Sequence, residues 1–205
     1  MPKQEAPLEY LRQFIPPPAV PRVLEYLHHY KVHLTVTRER KTVLGDYRHA
    51  WGNKAHRISV NGNLNPYAFL ITLVHELAHL VTFMQYGNRV QAHGREWKNC
   101  YALLLKDFLH KNIFPEAIEQ ALLKSIHDLP ASSCAHEDLM RVLKKFDRRE
   151  NGLVMVEQLQ EGQVFDIGEG RLFRKGKQLR KRFQCVEIKT GRVYLFSPIY
   201  EVKLA

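Results

Sequence analysis

His75-Glu76-Leu77-Ala78-His79 sets two histidines four residues apart with a glutamate beside the first, the grouping in this 205-residue chain best suited to chemistry. On a helix, positions 75 and 79 lie one turn apart on one face, so both imidazoles can reach a single ion. Neutral imidazole suits zinc, and the neighbouring carboxylate can hydrogen-bond a water on that ion and take its proton during attack on a carbonyl. The surrounding residues, Leu70, Leu73, Val74, Leu77, Ala78, Leu80, Val81, Phe83 and Met84, are apolar on nearly every side, which predicts a buried helix. Two imidazoles and a carboxylate are costly there unless partnered, and a metal partners all three at once.

A third ligand would set the class. The spacing with Gly three and His six residues after the second His fails, because those places hold Thr82 and Gln85. Two candidates remain: Glu96 on the next helix, and His93 in Ala92-His93-Gly94-Arg95-Glu96-Trp97. His93 is favoured, since the loop after Gly87 must return onto the first helix there.

The positioning elements are legible around this motif. Asn65-Pro66 predicts a helix start, with Asn65 as cap and Pro66 at the first position, and Gly87-Asn88 predicts its end after Tyr86. Upstream, Pro16, Pro17, Pro18 and Pro21 separate a short amphipathic stretch, Leu8 to Phe14, from a helix reaching Tyr30. Val32, Leu34 and Val36 then alternate as in a half-buried strand, a second extended segment holds Gly45 and Tyr47, and a third spans His56 to Val60. Downstream, helices are expected after Gly94, over Pro115 to Leu129 and over Ala135 to Phe146. From Asn151-Gly152 the texture changes to short β-branched and aromatic runs separated by glycine, so residues 151–205 read as a small β module following a domain at 1–150.

With these segments in place, the chain resembles the SprT-like family, which includes the Spartan DNA–protein crosslink proteases. The resemblance rests on His75-Glu76-Leu77-Ala78-His79, followed after 13 residues by His93-Gly94-Arg95-Glu96-Trp97-Lys98. Thr42 to Arg48 and His56 to Asn61 are similar to the family's Gly-aromatic-Arg and Ile-x-hydrophobic-Asn strands, so the likeness covers about two fifths of the chain, Tyr30 to Phe108. It implies an α+β, zincin-like catalytic domain in which a short antiparallel sheet packs on helices. By the same resemblance His75, His79 and His93 hold one Zn2+ per chain and Glu76 is the general base. The chain departs from relatives that carry a four-cysteine zinc ribbon: its β module offers only Cys185.

Charge points to partners. Lys and Arg total 31 against 21 Asp and Glu, a net charge of +10, which favours polyanions. Arg171 to Arg182 holds seven cations and no acid. Arg174, Lys175, Lys177, Arg180, Lys181 and Arg182 are the candidate phosphate contacts to DNA or RNA, with Phe173, Phe183, Tyr194 and Phe196 as stacking platforms. A solvated hairpin with Leu172, Phe173 and Leu179 turned inward is the plainer alternative. Three widely spaced cysteines exclude a disulfide scaffold. Cys100 reads as packing, and Cys134 with His136 has no second pair to complete a metal site. Without a visible secretory leader, and with Tyr67 to Met84 interrupted by polar residues, a cytoplasmic protein with no membrane span is expected. The function expected is a zinc metallopeptidase acting on protein substrates, nucleic-acid-associated ones among them; the alternative is a nucleic-acid-binding or adaptor protein with an unreactive zinc site.

Overall fold

The structure, a computed structural model, describes residues 8–40, 42–126, 137–147, 152–168 and 170–205. It divides into two compact units, Met1–Asp147 and Arg148–Ala205. Together they are α+β: the first is mainly helical, the second a separate curled sheet.

In the first unit, 3-10 turns at Leu8–Gln13 and Pro17–Ala19 lead into α1 (Val20–His29). Three short strands follow, β1 (His33–Thr37), β2 (Gly45–Arg48) and β3 (Arg57–Asn61), and then α2 (Pro66–Tyr86) and α3 (Arg95–Lys106). The unit ends with α4 (Glu116–Ile126) and α5 (Glu137–Lys144). Residues 127–136, with Cys134 and His136, lie outside the described residues.

The sheet corrects one expectation. Its order is β1-β3-β2, with β1 parallel to β3 and β2 antiparallel to it, so it is mixed rather than antiparallel throughout. Only the β2–β3 link is a local hairpin, closed around the Trp51–Lys54 bridge. The chain leaves β1 and crosses to the far side of β3, and buried Asn61 ties down that crossing. Asn61 Oδ1 accepts from Thr37 Oγ1 at 3.1 Å and Arg40 Nε at 2.8 Å, while its Nδ2 donates to the Arg40 and Val43 carbonyls at 3.1 Å each. Every polar atom of this amide is therefore satisfied, as burial demands.

Helix α2 is the centre of the core. Asn65 Oδ1 accepts from the Tyr67 and Ala68 amides, satisfying two orphan N–H groups of the first turn. Its Nδ2 reaches the Leu143 carbonyl and the Asp147 carboxylate, so the cap also fastens the end of α5. By length and composition alone α2 is long and apolar enough to cross a bilayer. Its apolar residues are used inside the unit instead: Phe69, Leu70, Leu73, Leu77, Ala78 and Leu80 are all buried. At the other end of α3, Asp107 accepts from Arg22 and from the Tyr26 hydroxyl of α1.

The second unit is a six-stranded sheet of order β4-β9-β5-β6-β7-β8. Its strands are β4 (Leu153–Met155), β5 (Val164–Asp166), β6 (Leu172–Leu179), β7 (Arg182–Glu187), β8 (Val193–Phe196) and β9 (Glu201–Leu204). It curls around Val156, Leu159, Phe165, Phe173, Cys185, Phe196 and Val202. β9 escaped the sequence reading, because the alternation of Glu201, Val202, Lys203 and Leu204 is too short to stand out.

Candidate metal centre

The motif helix and the turn into α3 bring three imidazoles together. His75 Nε2 lies 3.2 Å from His79 Nε2 and 3.2 Å from His93 Nε2. Helix periodicity accounts for the first pair, and the return of the loop accounts for the second. His93 adopts a left-handed backbone with φ of 62°, and Gly94 caps α3 immediately after it. A non-glycine residue held there is strained, a feature that concentrates at functional sites.

The geometry passes a test for a shared ion. Zinc–nitrogen bonds of about 2.0–2.1 Å in a tetrahedron set ligand nitrogens about 3.3–3.4 Å apart, close to the separations found. Without a cation, three Nε2 atoms aimed at one another cannot all be satisfied by protons. His75 Nδ1 is itself buried and has no hydrogen-bond partner among the described residues. Burial and the neighbouring imidazoles push the pKa of His75 down to about 3; burial, then His93, lowers that of His79 to about 4, and burial alone lowers that of His93. All three rings are therefore neutral near pH 7, the form that binds metal. Among the described residues, His75, His79 and His93 are the one group of this kind whose ligand atoms lie close enough together to hold an ion.

Glu76 is buried beside them, 6% exposed. Burial, with the Asp46 carboxylate adding to it and Arg40 opposing it, pushes its pKa up to about 8. Strand β2 lies directly on it: a Cβ built at Gly45 would sit 2.6 Å from Glu76 Oε1 and 2.8 Å from Thr72 Cγ2. Only glycine lets the strand pass this close.

Several contributors to this centre were not singled out from sequence. Trp97, fully buried, stands against all three imidazoles, with ring centroids at 4.6 Å from His75, 5.3 Å from His79 and 4.7 Å from His93. Tyr101 stacks behind it at 5.0 Å. Trp97 and Tyr101 fall on the helix expected after Gly94, but nothing in their spacing marks them as the wall of a site. On β2, the Tyr47 hydroxyl pairs with His56 Nδ1 at 2.9 Å, and both rings lie by Phe83, one turn beyond His79. A cavity of about 40 Å³ lies one turn back along α2, lined by Leu44, Ala68, Ile71, Thr72, Met140 and Leu143 among others. Glu96 is not part of the cluster; its carboxylate belongs to the first turn of α3.

The candidate phosphate contacts fall differently. Arg174, Lys177, Arg180, Lys181 and Arg182 are exposed on β6, β7 and the turn between them. Lys175 is a correction. It points inward, 5% exposed, donates to the Leu159 and Glu157 carbonyls, and stands 4.1 Å over the Phe183 ring, so the fold itself uses its ammonium. Two of the proposed stacking rings, Phe173 at 0% and Phe196 at 9% exposure, form the core of the unit. Leu172 and Leu179, expected to turn inward in the plainer reading, are exposed.

Comparison with known proteins places this geometry. Residues 22–112 match the SprT-like family, a span that contains most of α1, the three-stranded sheet, the motif helix and α3. Two proteins from Pseudomonas putida named Protein SprT are each 30% identical over 70 residues, which cover 34% of this chain and 29% of theirs. A Protein SprT from Pseudomonas entomophila is 27% identical over a stretch of the same length. The aligned stretch thus spans under a third of the length of these curated relatives. No solved structure matches. The match encloses all three histidines and the glutamate beside the first, so residues 22–112 are similar to the SprT-like family, a family of zincin-like metalloproteases.

Proposed function

We infer that this chain is a zinc-dependent metallopeptidase acting on protein substrates. The observation that carries the reading is the convergence of three neutral imidazole nitrogens beside a buried carboxylate. His75, His79 and His93 would hold the ion and leave a coordination position free. A divalent cation there supplies Lewis acidity and makes water acidic enough to lose a proton near neutral pH.

The remaining work falls to the chain's own residues. Glu76, which with Thr72 lies directly under Gly45, accepts the proton from water and returns it to the leaving amine. Its raised proton affinity suits both halves of that task, since it must be basic enough to take the proton and acidic enough to release it. Trp97 and Tyr101 hold the imidazole planes and exclude water from behind them.

The test is hydrolysis of an unfolded protein such as reduced casein by the full chain loaded with zinc. Wild type should cleave, chelation should abolish cleavage, and Glu76→Gln should keep one zinc while losing activity by at least about 10³-fold. A Glu76→Gln protein as active as wild type, or a zinc-loaded wild type that cleaves no peptide bond, would overturn the reading.

A further inference from the structure

The outer face of β6, β7 and β8 departs from what an exposed sheet face ordinarily shows. Strand alternation turns Phe173, Lys175, Cys185 and Phe196 inward, and leaves Leu172, Leu179, Val186, Val193 and Leu195 facing outward. Ile188, whose N–H bonds the Leu172 carbonyl, extends the row. These six aliphatic residues are each 37–54% exposed. They are contiguous by register: Val186 pairs with Val193, and Gln184 beside it pairs with Leu195. Isolated exposed aliphatics need no explanation, but a continuous patch on one sheet face marks an interaction surface.

The charges on the same face define the occupant. Arg174 stands in register with Val186, and Arg182 with Leu179; both are exposed, and neither forms an ion pair among the described residues. Strands β6 to β8 place no acidic residue on this face, since Glu187 points inward to Arg171. The nearest outward acid, Asp166 on β5, pairs in register with Leu172 at the edge of this face; on its other side it is opposite Lys203, and it accepts the Gly168 N–H. Three strands with no outward acid, studded with aliphatics and carrying Arg174 and Arg182, are complementary to carboxylates flanking an apolar stripe. It repels its own copy, because Arg174 and Arg182 would meet the same cations. It lacks the exposed rings that unpaired bases stack on.

Dimensions select the shape. Three adjacent strands put the outer two about 10 Å apart, which is the width of one helix at about 10–12 Å. We propose that the outer face of β6–β8 seats an acidic amphipathic helix of a partner protein, its aliphatic stripe on Leu172, Val186, Val193 and Leu195 and its carboxylates on Arg174 and Arg182. This surface is independent of the metal centre.

The experiment uses the full chain and a labelled 16-residue helical peptide of Leu, Ala and Glu with its leucines on one face. The control is the same composition scrambled so that no stripe forms. Fluorescence anisotropy should show the striped peptide binding at least tenfold tighter than the scrambled one. Val186→Ser with Leu195→Ser, and separately Arg174→Glu with Arg182→Glu, should each weaken it tenfold or more. These side chains are exposed, so thermal unfolding should be unchanged in both pairs. Equal binding of striped and scrambled peptides, or loss on charge reversal alone, would overturn the proposal in favour of bare electrostatics. So would binding of a dT20 oligonucleotide or of phosphatidylserine vesicles that falls with the serine pair, or a dimer in sedimentation that the serine pair dissolves.

Discussion

At position 45 a single methyl group would collide with the carboxylate of Glu76 and with Thr72 together. Backbone and helix cannot both stay in place, so Gly45→Ala should retain zinc while turnover falls by about 10²-fold, the cost of moving a catalytic group by roughly 1 Å. Parallel zinc analysis and hydrolysis assays check it. Glu76 itself carries a stability cost. A carboxyl whose folded pKa is raised gives its full stability below its unfolded value near 4.5 and loses it as pH rises through about 8. Metal-free Glu76→Gln should therefore melt higher than metal-free wild type at pH 8, with the gap closing toward pH 4.5. Melting curves in chelator across that range measure it. His75, Glu76 and His79 were legible because one helix carries them at fixed spacing. The close contact at Gly45 was not, since nothing local says that the strand runs over that carboxylate.

Among the elements, the segment between β1 and β2 shows how a loop can be built as firmly as a strand. Arg40 reaches Asn61 Oδ1 and Ser59 Oγ, and Asn61 returns two bonds to the segment's carbonyls. Asn61→Ala would remove four hydrogen bonds that a buried amide makes to Thr37, Arg40 and Val43 and should cost about 2–4 kcal/mol in denaturant unfolding. Because that segment delivers Gly45 to Glu76, hydrolysis should fall as well. The start and end of α2 could be read because Asn65, Pro66 and Gly87 act locally. The parallel pairing of β1 with β3 could not, because register between distant strands is set by the crossing that Asn61 anchors. In the second unit the alternation along β6 and β7 was visible, yet which parity faced inward depended on the core formed by Phe165, Phe173 and Cys185. Lys175 shares the inner parity and was misassigned for that reason.

For the molecule as a whole, pH links metal, charge and fold. A histidine with a lowered folded pKa contributes stability above its unfolded value near 6.5 and loses it as pH falls toward the folded value, here about 3 for His75 and about 4 for His79. The metal-free protein should lose melting temperature on acidification below about pH 6.5. The folded site should stay ligand-competent further down, because the His75 and His79 rings remain neutral at pH 5 and burial lowers the pKa of His93 as well. Dialysis at pH 5 followed by metal analysis should find zinc still bound, and complete loss at that pH would contradict the assigned environment.

Trp97 has one more consequence, an optical one. The chain contains two tryptophans, and they sit at opposite extremes: Trp97 is fully buried against the three imidazoles, while Trp51 is 79% exposed. Iodide can reach and quench Trp51 alone, leaving emission from an indole that touches every ligand candidate. The chain thus carries its own unlabelled reporter of the metal centre, readable during loading, chelation or turnover.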